Sequence, residues 1–400
     1  MQAVGTADAP NYSLRASVIL NALWVPLFIQ DTVLMLIAVP AVLLRLDPRE
    51  HTHALALITS AVSVVPMVVL PVAGALSDSW RKRGGSRRAA VLLGIAVDLV
   101  ALAMLPSAQS VASLSALMIV ATVGFNVAFA AYSAMLPEIV PRSAWGAASG
   151  VRGVAVLIGT LAGFGIGAVA SPGAVFVITA VAMALGALTL WPIREQSSLA
   201  SGERAVVRDW HDFALVFAAR AWIALGLSLL YTFVFYFFSD ILKIHDAPAG
   251  TAFVGTFGLL GAVLSSVFLG ILSDRFPRKW VVAASGIPMT LAAIGFAAVP
   301  RVEYILGFAV LFGLGYGGLN AVGWALAIDA MPALGDIGRD LGIWGIAQNL
   351  PAVIAPFIGY SLLARFGGGV DGYRALFAAA ALSFLIGSLV TLGVRGRRPA

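Results

Sequence analysis

Apolar residues run in twelve long blocks, at roughly residues 17–44, 52–76, 89–106, 110–135, 148–170, 173–193, 215–241, 250–273, 280–299, 302–328, 342–364 and 373–394. A helix needs about 20 apolar residues to cross the hydrocarbon of a bilayer. The blocks reach that length and lack the period-two alternation of barrel strands, so the pattern predicts twelve transmembrane helices. Pro66, Pro71, Pro351 and Pro356 fall inside blocks, where membrane helices tolerate proline and often bend. The longest polar stretch, Arg194 to Asp212, separates six helices from six. The expected architecture is all-α, with a six-helix bundle over 1–193, a linker over 194–214 and a second six-helix bundle over 215–400. Met1 to Arg15 is short and polar with no A-x-A site, and the block after it outruns a signal-peptide core, so it reads as a retained first helix.

Composition closes off the soluble alternative. Hydrophobic residues make up 60% of the chain and charged residues 11%, with a mean hydropathy of +0.96. A soluble domain carries about 25% charged residues. No cysteine is present, which excludes disulfides, thiolate nucleophiles and cysteine metal sites. The only lysines, Lys82, Lys243 and Lys279, follow no phosphate-loop glycines, so the chain has no ATP-driven pump of its own. The net charge of +6 is a matter of topology. With both termini inside, the inner segments hold 17 of the basic residues and the outer loops 6, leaving Arg152 and Arg220 within helices. A multi-pass protein of a bacterial inner membrane, with cytoplasmic termini and no nucleic-acid partner, is the expectation.

The halves repeat each other. Gly74-Ala-Leu-Ser-Asp78-Ser-Trp-Arg81-Lys82-Arg83 lies between the second and third blocks, and Gly270-Ile-Leu-Ser-Asp274-Arg275-Phe-Pro-Arg278-Lys279 between the eighth and ninth. Tyr132-Ser-Ala-Met-Leu-Pro-Glu138-Ile-Val-Pro141 aligns without gaps on Gly323-Trp-Ala-Leu-Ala-Ile-Asp329-Ala-Met-Pro332. On these motifs the chain resembles the major facilitator superfamily over essentially its whole length. Arg81 and Pro277 stand where that family usually has a second glycine. The resemblance implies two bundles that rock about a midplane site. The seventh block, ending Tyr236-Phe-Phe-Ser-Asp240, and the run Asp329-Ala-Met-Pro332, Gly338-Arg339-Asp340-Leu-Gly342, Asn349, Pro351 and Ala355-Pro356 resemble the branch of sucrose transporters and glycoside–cation symporters. That finer resemblance implies a cation-coupled sugar carrier.

Charge inside the blocks marks the candidate chemistry. Asp31 and Asp98 fall near the middles of the first and third blocks, where a carboxylate costs about 2.5–3.5 kcal/mol to insert. They are candidates for the coupling proton or sodium ion, against a plain helix–helix hydrogen bond. Arg152 and Arg220 are candidates for a substrate oxygen, against pairing or snorkelling. Asn126, Tyr132, Tyr231, Tyr316, Asn320, Trp324, Gln348 and Asn349 offer the amides, phenols and indole of a carbohydrate site, against ordinary packing between helices. Gly74, Asp78, Arg81, Gly270, Asp274 and Arg278 are candidates for a latch between the bundles that forms in one state only. Retention by positive charge accounts for Arg87 and Arg88 without a latch. Gly159, Gly163, Gly165 and Gly167 read as close helix packing. His51, His53, His211 and His245 all fall in loops and read as solvated, with no metal site or cofactor.

These readings converge on a secondary transporter, probing no enzyme chemistry, that acts as a monomer on a small polar solute, with sugar favoured. Proton-coupled export of an amphipathic compound is the alternative within transport. A transporter-like sensor or assembly factor is the alternative of another class.

Overall fold

A computed structural model describes residues 14–140, 145–193, 210–273, 275–298, 301–330 and 337–395. Each predicted block is helical. Among the described residues, eleven helices are long and apolar enough to cross a membrane, and the sixth span, Pro172–Leu188, adds 17 residues. Local chemistry sets several starts: Ser171 caps the sixth span by accepting from the Ala174 amide, and Asp246 caps the eighth, Ala247–Leu272, by accepting from Ala249. Large apolar side chains point outward, with Leu93, Leu264 and Phe268 each more than 60% exposed. Such a surface belongs against lipid, not water.

The helices pack as two bundles with one wiring diagram. In the first, the second span (His51–Lys82) and the third (Arg87–Met104) both pack on the fourth (Val111–Ile139). The first span packs on the fifth (Trp145–Val169) and the sixth, and the third also meets the sixth. In the second bundle the eighth and ninth (Arg278–Ala298) pack on the tenth (Val302–Ala330), the seventh (Trp210–Tyr236) on the eleventh (Ile337–Arg365) and twelfth (Val370–Leu392), and the ninth on the twelfth. Shifting every index by six maps one set onto the other. Between bundles the second span meets the eleventh and the fifth meets the eighth, a swapped pair related by the same shift.

Small residues make these approaches possible. A Cβ on Gly159, Gly163 or Gly167 would strike Val25, Thr32 or Ile37 of the first span, so the fifth span lies against it through a glycine stripe. Gly165 faces open space and takes no part. The prolines at 66, 71, 351 and 356 are absorbed inside continuous helices. The breaks come elsewhere. The first span is interrupted at residues 22–23 and again by a π-helical turn, Leu34–Ala38, and the seventh ends in a π-helical turn, Phe237–Ile241. The seventh span starts at Trp210, five residues before the expected 215. Linker residues 194–209 lie outside the described residues.

The expected latch is wired differently. Arg87 is buried, and its guanidinium lies 2.6 Å from both Asp78 and Glu138 while donating to Ser77 Oγ at 3.0 Å. Arg81 adds a longer contact to Glu138, at 3.7 Å. In the second bundle Arg278 lies 2.6 Å from Asp329. Arg87–Glu138 and Arg278–Asp329 both join residues 51 apart, so they are one bond made twice by the repeat. Arg278 is therefore the counterpart of Arg87, although counting from Gly74 and Gly270 sets it opposite Lys82. Arg87 is the hub of the tie, not a mere retention signal. These described pairs run inside a bundle rather than between bundles; Asp274 lies outside the described residues, and a Cβ on Gly74 or Gly270 would meet open space.

What closes the bundles onto each other is the opposite end. Tyr236 donates to the carbonyls of Pro40 and His51, His51 pairs with Asp240, His53 packs its ring on Tyr360, and Phe164 fills the space beside Gly255.

The two arginine ties differ in burial, so their loss should differ. Arg87→Gln removes a buried guanidinium from Ser77, Glu138 and the more exposed Asp78, and is expected to lower stability by about 1–3 kcal/mol. Arg278→Gln removes a pair whose side chains are both 38% exposed, and should cost within about 1 kcal/mol. Thermal unfolding of both variants in one detergent decides it, and equal losses would remove the hub role.

Candidate functional site

Between the bundles lies a cavity of about 710 Å³, walled by spans one, two and five on one side and seven to eleven on the other. Its surface is largely apolar, with a cluster of aromatic rings. Tyr316 stacks on Phe312 at 6.1 Å and an interplanar angle of 13°, and Tyr231 stands edge-on to both. Phe28 and Phe164 face them from the first bundle. Two polar groups in the wall are committed within their own helices: the Thr160 hydroxyl donates to Val156 at 3.0 Å, and the Asn320 amide to Tyr316 at 2.9 Å. The hydroxyls of Thr59 and Thr251 have no hydrogen-bond partner among the described residues.

Among the described residues, Asp31 is the one carboxylate in this wall. It is reached through the cavity, three residues before the π-helical turn of the first span. No described residue hydrogen-bonds or ion-pairs with it. A lone acid placed inside the membrane is a functional group by default, because insertion penalises it and packing gains nothing from it. π-Helical turns of this kind gather at functional sites.

Asp98 is different. It is fully buried, and one carboxyl oxygen accepts from Gln30 Nε2 at 2.9 Å. The other oxygen and Gln30 Oε1 have no partner among the described residues. Gly94 and Gly124 bring the third and fourth spans to contact around it. The bond ties the third span to the residue immediately before Asp31. Gln30, a lone amide in an apolar run, carried no signal of its own in the sequence.

The remaining candidates divide. Tyr231, Tyr316 and Asn320 line the cavity with Asp31. Asn126, Tyr132, Arg152, Arg220, Gln348 and Asn349 are not among its lining residues. Asn126 is buried and donates to Thr122 at 2.8 Å within its own helix. The Tyr132 hydroxyl donates to the carbonyl of Leu20, beside the break at residues 22–23, and so satisfies a group that the interrupted helix leaves open. Arg152 neither ion-pairs with a described residue nor snorkels: its guanidinium lies 3.9 Å over the ring of Trp24, which also packs against Tyr132 and Phe129. Arg220 donates to Gln348, linking the seventh span to the eleventh. The Trp324 side chain lies outside the described residues. Among the described residues no cluster could hold a metal ion.

Known proteins match this geometry. The sequence profile of the Major Facilitator Superfamily fits residues 27–248 and again 240–400. The niacin transporter NiaP of Acinetobacter baylyi is 32% identical over 30% of this chain and 27% of its own length. The inner membrane metabolite transport protein YgcS of Escherichia coli is 30% identical over 36% of this chain and 32% of its own. The chain thus spans about a third or less of these relatives. In fold, the nucleoside transporter NupG matches with a TM-score of 0.73 at 12% identity, covering 96% of this chain and 100% of that one. A bacterial homolog of the human lysosomal transporter Spinster, solved inward-facing and unoccupied, matches with a TM-score of 0.73 at 14% identity, covering 98% and 100%.

The Gln30–Asp98 bond yields a stability test. Gln30→Leu leaves a buried carboxyl group with no described donor and is expected to cost about 1–3 kcal/mol. Asp98→Asn keeps an acceptor for Gln30 and should cost less. Thermal unfolding in detergent measures both, and a Gln30→Leu protein as stable as its parent would show that the bond contributes nothing.

Proposed function

The chain belongs to the major facilitator superfamily, and from that premise we propose that it moves a small organic solute with a flat aromatic or amphipathic body, by alternating access, coupled to a proton at Asp31. The observation that carries this reading is the single unpartnered carboxylate in an aromatic-walled cavity between two bundles. The cavity volume of about 710 Å³ falls in the range of small-molecule sites. Ring faces from Tyr316, Phe312 and Phe164 suit a planar solute better than a sugar, whose hydroxyls need a dense set of free amides and carboxylates. The amides expected to serve a sugar are outside the wall or turned to their own helix. NiaP, a relative over part of the chain, carries an aromatic solute in its own case. Asp98, through Gln30, holds the first span's rotation next to Asp31, a positioning role.

The basic asymmetry of the sequence supports cytoplasmic termini in a bacterial inner membrane, with the closed end outward. One chain supplies both walls of the cavity, which supports action as a monomer.

Thermal stabilisation of the purified protein at pH 6 and pH 8, with pyridine carboxylates, nucleosides, lipophilic cations and sugars, tests the solute class. A ligand at a hundred times its Kd raises stability by about 2.7 kcal/mol. Proteoliposome uptake then tests coupling: Asp31→Asn should abolish accumulation driven by a pH gradient and retain exchange without one. A sugar as the sole stabilising ligand overturns the solute class. Tight binding without uptake in the parent chain turns the reading to a sensor.

A further inference from the structure

The closed end holds a polar group that passage through the central cavity does not use. His51 opens the second span. Its Nδ1 lies 3.1 Å from the Pro48 carbonyl, and its Nε2 lies 3.1 Å from Asp240 Oδ2 on the seventh span, across the bundle boundary. The second oxygen of Asp240 accepts from the Ser239 hydroxyl. The ring of Tyr236 stands edge-on to His51 at 4.4 Å, and its hydroxyl donates to the carbonyls of Pro40 and His51. The pair is largely covered, with side chains 14% and 30% exposed. The other titratable neighbours are Asp47, on the loop before His51, and Tyr373, at the start of the twelfth span beside Asp240.

Both ring nitrogens of His51 face acceptors. A carbonyl only accepts, and an ionised carboxylate only accepts, while a neutral imidazole has one N–H to give. Two arrangements satisfy the geometry: an imidazolium against a carboxylate, or a neutral ring accepting from a protonated Asp240. Each holds two protons. With one proton fewer, one contact sets lone pair against lone pair at 3.1 Å: Nε2 against Asp240 Oδ2, or, in the other tautomer, Nδ1 against the Pro48 carbonyl.

We propose that His51 and Asp240 form a proton-binding site that exists only while this end is closed. Opening separates the second span from the seventh and returns both groups to water. The closed state then binds the proton more tightly than the open one, so acid favours closure and alkali favours opening. The site adds a second point of proton linkage, remote from Asp31. It rests on alternating access and not on the identity of the solute.

The chain contains no cysteine, so paired spin labels can be placed without removing any. Labels at Arg49→Cys and His245→Cys, both exposed, span the closed end; Arg83→Cys and Arg275→Cys span the other. Pulsed electron–electron distances in nanodiscs from pH 5.5 to 8.5, in an Asp31→Asn background that removes the cavity acid, should show the closed-to-open ratio at the first pair falling, by up to about tenfold per pH unit through the titration. In His51→Gln the amide donates to Asp240 at every pH. In Asp240→Asn the amide donates to a neutral His51, whose Nδ1–H serves Pro48. Both variants should keep the closed population and lose its pH dependence, which a merely structural contact would not do. A flat ratio in the parent, or a slope that survives both substitutions, overturns the proton site. Two populations at the Arg83–Arg275 pair alongside such a result would leave alternating access standing. Fixed distances at both ends would overturn alternating access with it.

Discussion

A charge inside a bilayer must meet protein, because lipid offers it nothing, and each ionisable side chain in this structure is placed by that constraint. Arg87 meets two carboxylates and a hydroxyl. Arg152 lies on the face of Trp24. Asp98 sits in the tightest approach of the third and fourth spans with an amide for company. Asp31 alone has no described partner, and it is the one that faces the cavity. The same rule that sequesters the others makes this exception informative.

The repeat explains how so regular a scaffold holds an irregular site. Both halves use one packing diagram and one arginine–carboxylate tie at a separation of 51 residues. The differences between halves fall where the solute would sit: the first bundle supplies the acid, and the second supplies the stacked rings of Phe312 and Tyr316 with Tyr231 edge-on to both. Even the departures from regular helix pair up. The leading span of each half carries a π-helical turn toward the closed end. There the seventh span's Tyr236 reaches the carbonyl of Pro40 on the first. Wide turns of this kind rotate the residues that follow, which lets side chains leave the bundle seam and meet across it.

The two ends of the molecule are held by different means. At the end bearing Arg87 and Arg278 the described ion pairs stay within a bundle, so they stiffen each half as a unit. At the other end the contacts cross between halves and are a mixture of ring packing, carbonyl hydrogen bonds and one histidine–carboxylate pair. Rigid halves joined by a modest polar seam are what a rocking transition requires, since the seam can break without loosening either bundle.

Helix number, the two-bundle division and the charge asymmetry were legible in the sequence, because the bilayer reads hydrophobicity over windows of about 20 residues and needs no tertiary context to do so. Asp31 and Asp98 stood out for the same reason, as charges where a span can least afford them. Their separation into a cavity acid and a buried hydrogen-bonded acid was not legible, since it depends on which face of each helix turns inward. Gln30, Trp24 and His51 gave no local signal: an amide, an indole and a histidine at a helix start acquire their roles only from Asp98, Arg152 and Asp240, residues far away in the chain. Arg87 and Arg278 show the limit most plainly. The loop motif sets Arg278 opposite Lys82, because an alignment counts residues from the nearest glycine, while the fold counts from the start of the helix that carries the charge.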